Sequence, residues 1–163
     1  MDLGTSRKMR YISHRGNLTG PVSRDENNPF YIDAAILAGY EVEIDLRTNL
    51  GQLYLGHDDP DHFVDLQWLK DRKDNLWIHC KDYKSLETCV DNDLHCFFHN
   101  IDDYTITSKG FVWGYPGTPK VSDCSILVMP EKNQGTKYIK DLGYFGICSD
   151  YIEEIRDNDV KAS

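Results

Sequence analysis

The chain has 163 residues, 40% of them hydrophobic and 28% charged, with a formal net charge of −9. That length suits one domain, residues 1–163, with a sizeable core, and the balance excludes a disordered chain. The acidic charge argues against unspecific nucleic-acid binding, while an anionic substrate stays open because a bound divalent cation reverses the local field.

Apolar runs and helical segments alternate along the chain. Residues 9–14, MRYISH, read as a buried strand followed by a loop. Asn28 then fits an N-cap with Pro29 at the first helical position and Gly39 closing the helix. Ile32, Ala35, Ile36 and Gly39 share one face of it. In EVEIDLR (41–47), strict alternation puts Glu41, Glu43 and Asp45 on one side of a strand and Val42, Ile44 and Leu46 on the other. A turn at 49–52 returns into a short strand over 53–57, and a helix follows around 64–72. Next come a strand at 76–81 and a helix at 83–92, then strands at 95–100, 110–115 and 125–130. A helix near 135–143, a strand at 144–150 and a helical tail over 151–159 complete the pattern.

Strands alternating with helices predict an α/β fold with a parallel sheet. About seven main strands are nearly enough for a closed TIM-type barrel, yet such barrels take about 250 residues. The expectation is therefore a reduced or irregular (β/α) barrel with short or missing outer helices, with an open α/β sheet as the alternative. Missing helices would expose apolar flanks that a second subunit would cover, which leaves a homo-oligomer open. The five cysteines are odd in number and lack a CxxC pair, so they read as buried reduced thiols rather than disulfides or a zinc site. With no signal-peptide stretch and no membrane span in the sequence, the cytoplasm is the expected location.

The carboxyl ends of parallel strands converge on one face of such folds. His14 ends the first strand, Glu43 and Asp45 point the same way on the second, His57 ends the returning hairpin, and His79 and Lys81 end the third. His14 alone reads equally as a half-buried histidine, and alternating carboxylates also describe a solvated strand face. On the buried inward face of a barrel strand, however, two unpaired acids are costly, and a shared cation removes that cost.

With these pieces in order, the chain resembles the glycerophosphodiester phosphodiesterase family, which shares a barrel with phosphatidylinositol-specific phospholipase C and the spider-venom phospholipase D enzymes. The resemblance rests on HRG (14–16), ENN (26–28) before a helix ending in AGY, EID (43–45), GHDD (56–59) and GICSDY (146–151). It is strongest over residues 10–59. It implies a metal-dependent phosphodiesterase that hydrolyses a glycerophosphodiester-like small molecule to a phosphomonoester and an alcohol. Glu43 and Asp45 would share Mg²⁺ or Ca²⁺ through oxygen ligands. His14 and His57 would act as a general acid/base pair, with Arg15 and Lys81 on the phosphate.

One position departs from the family, which has a carboxylate two residues before that lysine as a third metal ligand. Here IHCK places His79 there, a donor that leans toward softer ions such as Mn²⁺ or Zn²⁺. Two further readings stay open: intramolecular transfer releasing a cyclic phosphate, and a non-catalytic phosphoester-binding module. Among supporting residues, Asp58 either orients His57 or caps a turn. Glu26 and Asn27 either brace the site or begin the helix. Trp113 and Tyr115 are core or substrate-facing. His62, His95 and His99 read as structural or surface residues, although His99 also ends a strand at the same mouth.

Overall fold

The structure, a computed structural model, describes residues 7–163. β1 (Arg10–His14) leads through a loop to α1 (Pro29–Leu37), which begins where the Asn28 side chain accepts a hydrogen bond from the Phe30 N–H. β2 (Glu41–Asn49) follows, then the short strands β3 (Gln52–Leu55) and β4 (His62–Val64). Asp65 caps α2 (Leu66–Asp71) through the Trp68 N–H, and Asp82 caps α3 (Tyr83–Asp91) through the Ser85 N–H, with β5 (Leu76–Cys80) between them. β6 (Cys96–Phe97), β7 (Tyr104–Ile106), β8 (Val112–Gly114), β9 (Ser125–Val128) and β10 (Gly146–Ser149) precede α4 (Ile152–Lys161). β4 and β7 were not expected from the sequence pattern, and the remaining strands and α-helices match it within a few residues at each end.

The parallel path runs β8–β9–β10–β1–β2–β5–β6. β7 pairs antiparallel with β8, and the β3–β4 hairpin extends the far half of β2. This ten-stranded, mostly parallel sheet curls through 203° and forms a half-barrel. The closed barrel is thus corrected to an open, curled one, which meets the expectation of missing helices. The physical reason lies in the connections. Residues 115–124 carry Pro116 and Pro119, which deny a helix its backbone donors. The helix expected at 135–143 is only a 3-10 turn at Lys140–Leu142, because Tyr138 sits in left-handed backbone at φ 59° and breaks the run.

Alternation along β2 falls as the pattern predicts. Val42, Ile44 and Leu46 pack outward beneath the helices with Ile32, Leu69, Leu76 and Ile78. α4 covers the sheet elsewhere, its Ile152 and Ile155 clustering with Ile147 of β10. The concave side is filled at its base by Ile12, Trp77, Phe97, Trp113, Ile126 and Cys148. Trp77 stands 5.8 Å from Trp113, and Phe97 stacks on Trp113 at 4.7 Å, ring centre to ring centre. Truncating such a buried aromatic costs about 3–5 kcal/mol. Toward the carboxyl ends of these strands the side chains on the same faces are polar, and the register pairs His14 with Glu43 and, two residues further along β2, Asp45 with His79.

Candidate functional site

Glu43 and Asp45 rise from β2 above the aromatic floor, and both are buried, at 2% and 0% exposure. Glu43 lies between two imidazoles, with Oε2 3.8 Å from His14 Nε2 and Oε1 3.9 Å from His79 Nδ1. Asp45 is held more tightly. Its Oδ2 accepts from the Asn27 side-chain amide at 2.9 Å and lies 2.9 Å from Arg15 Nε. Its Oδ1 faces His79 Nδ1 at 3.3 Å and Lys81 Nζ at 4.0 Å. Asn27 also accepts the Asp45 backbone N–H at 2.9 Å, so it braces the second carboxylate from both ends.

The two acids respond differently to the same burial. Burial and the neighbouring Asp45 charge push Glu43 up to about 7. Burial pushes Asp45 upward as well, but the His79 imidazole beside Oδ1, the Arg15 charge and the Asn27 amide outweigh it and hold this carboxyl below its ordinary range. Glu43 Oε2 and Asp45 Oδ1 are nevertheless buried without a hydrogen-bond partner. Such orphaned oxygens, with a histidine nitrogen beside them, fit a divalent cation; Glu43, Asp45 and His79 bring one ligand atom each within 4.8 Å of one another.

His14 is fixed from its far side. Its Nδ1 lies 2.7 Å from Asp150 Oδ1, and Asp150 also accepts from the Asn17 amide at 2.8 Å. An ionised Asp150 makes Nδ1 the donor and leaves Nε2 toward Glu43. Burial lowers the imidazole pKa, but the Asp150 bond and the Glu43 charge outweigh it, and the net shift is upward. Asp150 and Asn17 were not singled out as site residues in the sequence, although GICSDY contains the first of them. Its partner Glu131 accepts the Asp150 backbone N–H at 3.0 Å, across a gap of 19 residues that gives no local pattern. The HRG turn works by close approach: Gly16, at φ 95°, leaves room for the Tyr31 ring, whose hydroxyl donates to Asn17 Oδ1 at 3.0 Å.

A cavity of about 410 Å³ opens above these groups, lined by His14, Arg15, Glu26, Glu43, His57, His79, His99 and Asp150 among others. His57 is an exposed rim residue on the loop after β3, its Nδ1 2.8 Å from Asp58 Oδ1. That contact corresponds to the orienting reading of Asp58. The loop is pinned by Arg47, which donates to the carbonyls of Gly56 and His57.

Arg15 reaches back to Asp45 and also to Glu26, at 3.4 Å, so it is part of the acidic cluster as well as of the wall. Glu26 accepts from Asn17 too, at 3.0 Å, which ties the residues before α1 into the site. Lys81 points at Asp45, while Lys132 is the lysine on the cavity wall. His99 stacks on His79, ring centres 4.5 Å apart, and burial with the His79 and Lys81 charges lowers it to about 4. Trp113 is both core and cavity wall; Tyr115 sits exposed at the rim.

A larger hollow of about 600 Å³ lies on the outer surface beside α1 and α2, around Phe30, Phe63 and Trp68, and holds none of these strand-end groups. No helix among the described residues is long and apolar enough to cross a membrane. No family model, curated protein or solved structure matches this chain.

Proposed function

We propose that this cavity is the active site of a divalent-cation-dependent phosphodiesterase acting on a small glycerophosphodiester-like substrate. The observation that carries the reading is the pair of buried, orphaned carboxylate oxygens on Glu43 and Asp45 beneath two histidines that each have an aspartate on Nδ1. Glu43, Asp45 and His79 would hold Mg²⁺, Ca²⁺ or Mn²⁺. When bound, such an ion neutralises a phosphodiester and acts as a Lewis acid at its oxygens.

The chain's own groups supply the rest. Asp150 locks the His14 ring so that Nε2 moves a proton to or from the reacting oxygens. Asp58 does the same for His57 at the rim. One imidazole takes the proton of an attacking substrate hydroxyl while the other gives a proton to the departing alkoxide, and a water deprotonated in its turn then opens the cyclic phosphate to the phosphomonoester. Lys132 adds positive charge to the wall, and Trp113 with Tyr115 offers an apolar surface for the alcohol.

Phosphorus NMR on protein incubated with glycerophosphodiesters and Mn²⁺ or Mg²⁺ tests the assignment. Hydrolysis yields a phosphomonoester signal as the end point, and a persistent cyclic phosphate instead identifies intramolecular transfer. No consumption of any diester sinks the enzyme reading.

A second reading draws on the Arg15–Asp45 contact at 2.9 Å and the nearby Lys81, which offset one carboxylate without any metal. On that reading the cavity only binds phosphoesters. Phosphoester binding by calorimetry with no divalent-cation uptake distinguishes it.

A further inference from the structure

On the convex side of the sheet, away from the cavity, three cysteines distant in sequence converge. Cys80 ends β5, Cys89 lies on the inner face of α3 and Cys96 opens β6. All three are free thiols with at most 1% exposure, and their sulfurs lie within 4.8 Å of one another. The group is made of cysteines alone, in a hydrocarbon layer that includes Ile44, Leu46, Ile78 and Leu94, with Leu86 against it.

That geometry suits a single three-coordinate soft ion. Thiolate sulfurs sit about 2.3 Å from a metal such as zinc, so three of them around one ion are roughly 4 Å apart, a separation these side chains reach with small shifts. Charge then selects the ion. Three thiolates leave a net negative charge on a divalent ion and a larger one on a monovalent ion, and an uncompensated charge in an apolar layer is costly. Zinc would also need a fourth donor. A trivalent thiophile cancels the three thiolates and, in trigonal-pyramidal form, needs no further ligand.

We propose that Cys80, Cys89 and Cys96 form a binding site for trivalent arsenic, taken up as arsenous acid. Each thiol forms one S–As bond as one As–O bond breaks, and its proton leaves with the hydroxide as water. Three waters are released, no atom changes oxidation state, and the product is neutral. Uptake requires α3, a nine-residue helix, to open locally from β5 and β6. Once bound, the ion ties these three elements together and stabilises the native state. The site is independent of the phosphodiester reading, since none of its residues lines that cavity.

The test is native mass spectrometry and thermal melting of the whole chain with arsenite. The expected result is one arsenic per chain, with a mass gain of one arsenic less three hydrogens and a raised melting temperature. The adduct persists in Cys124→Ser and Cys148→Ala and weakens by at least tenfold in Cys89→Ser. X-ray absorption at the arsenic edge on the unmodified protein gives a reading that does not depend on a variant folding, with three sulfurs and no oxygen in the coordination shell. Absence of an adduct on the native chain, oxygen remaining in the shell, or an undiminished adduct in Cys89→Ser overturns the proposal.

Discussion

His14 and Asp150, 136 positions apart in the chain, meet through Nδ1 and Oδ1 at 2.7 Å. The contact follows from β1 lying parallel beside β10 with Ser13 opposite Ser149, so that the next residue of each strand faces the cavity. Asp150 thereby decides which imidazole nitrogen carries a proton toward the site. Asp150→Asn is expected to lower turnover by roughly 10²-fold or more, within the range that positioned acid–base groups contribute. It is also expected to lower the His14 pKa, because the bond that outweighs burial is weakened. A proton NMR titration of the His14 ring checks this, and an unmoved pKa contradicts it.

In the proposed cation site His79 would be the third donor, an imidazole beside the Glu43 and Asp45 carboxylates. His79→Ala should weaken Mn²⁺ binding on the order of tenfold, the scale on which metal sites lose affinity when even an outer-shell partner goes. His79→Glu adds a hard oxygen donor, and the preference should move from Mn²⁺ toward Mg²⁺. Calorimetric titration of both ions into both variants reads the change, and identical selectivity in wild type and His79→Glu contradicts the ligand role.

Gly56 precedes His57 at φ 154°, and a Cβ there would lie 1.9 Å from the Asp59 carbonyl oxygen. Gly56→Ala must therefore rearrange the loop that carries His57, at a cost of about 1–3 kcal/mol for a strained backbone position. Turnover should fall strongly, while cation binding at Glu43 and Asp45 stays near the wild-type value. Kinetics and cation titration on the same preparation separate the two effects.

His95 is half-buried against Trp77, ring centres 4.2 Å apart, with Nε2 2.8 Å from Thr107 Oγ1. Burial lowers its pKa to about 4 from the ordinary 6.5. Between those values the unfolded chain binds the proton and the folded chain does not, so stability rises with pH across that window and is lost as pH falls through it. After discounting for partial exposure, the loss is roughly 2 kcal/mol. His95→Gln should flatten this part of the profile, as read by urea unfolding at several pH values.

Much of the scaffold was legible because it is local. Asn28 and Pro29 mark the start of α1, and the period-two pattern of residues 41–46 sorts acids from aliphatics across β2. Residues 135–143 were not legible in the same way. They read as a helix, yet left-handed backbone at Tyr138 interrupts the run and leaves only a 3-10 turn at Lys140–Leu142. At the site, His14 and His79 were legible because they stand at or next to strand ends, and Glu43 and Asp45 because alternation sets them on one face of β2. Asp150, Asn17 and Glu131 act through contacts between distant segments, which no short spacing encodes. Arg15 illustrates the limit of residue chemistry alone: its forked cation suits a phosphate, but the fold aims its Nε at Asp45. The convergence of Cys80, Cys89 and Cys96 was equally invisible, since it depends on α3 packing over β5 and β6.

On the proposed function, the Glu43–Asp45 pair holds a divalent cation required for phosphodiester cleavage. The most direct measurement is turnover of a glycerophosphodiester by chelator-stripped protein as Mn²⁺ or Mg²⁺ is added back, for wild type and Asp45→Asn in parallel. The expected result is no turnover without cation, saturable recovery in wild type, and recovery in Asp45→Asn that is largely lost. Turnover in the stripped protein that neither cation nor the substitution changes would contradict it.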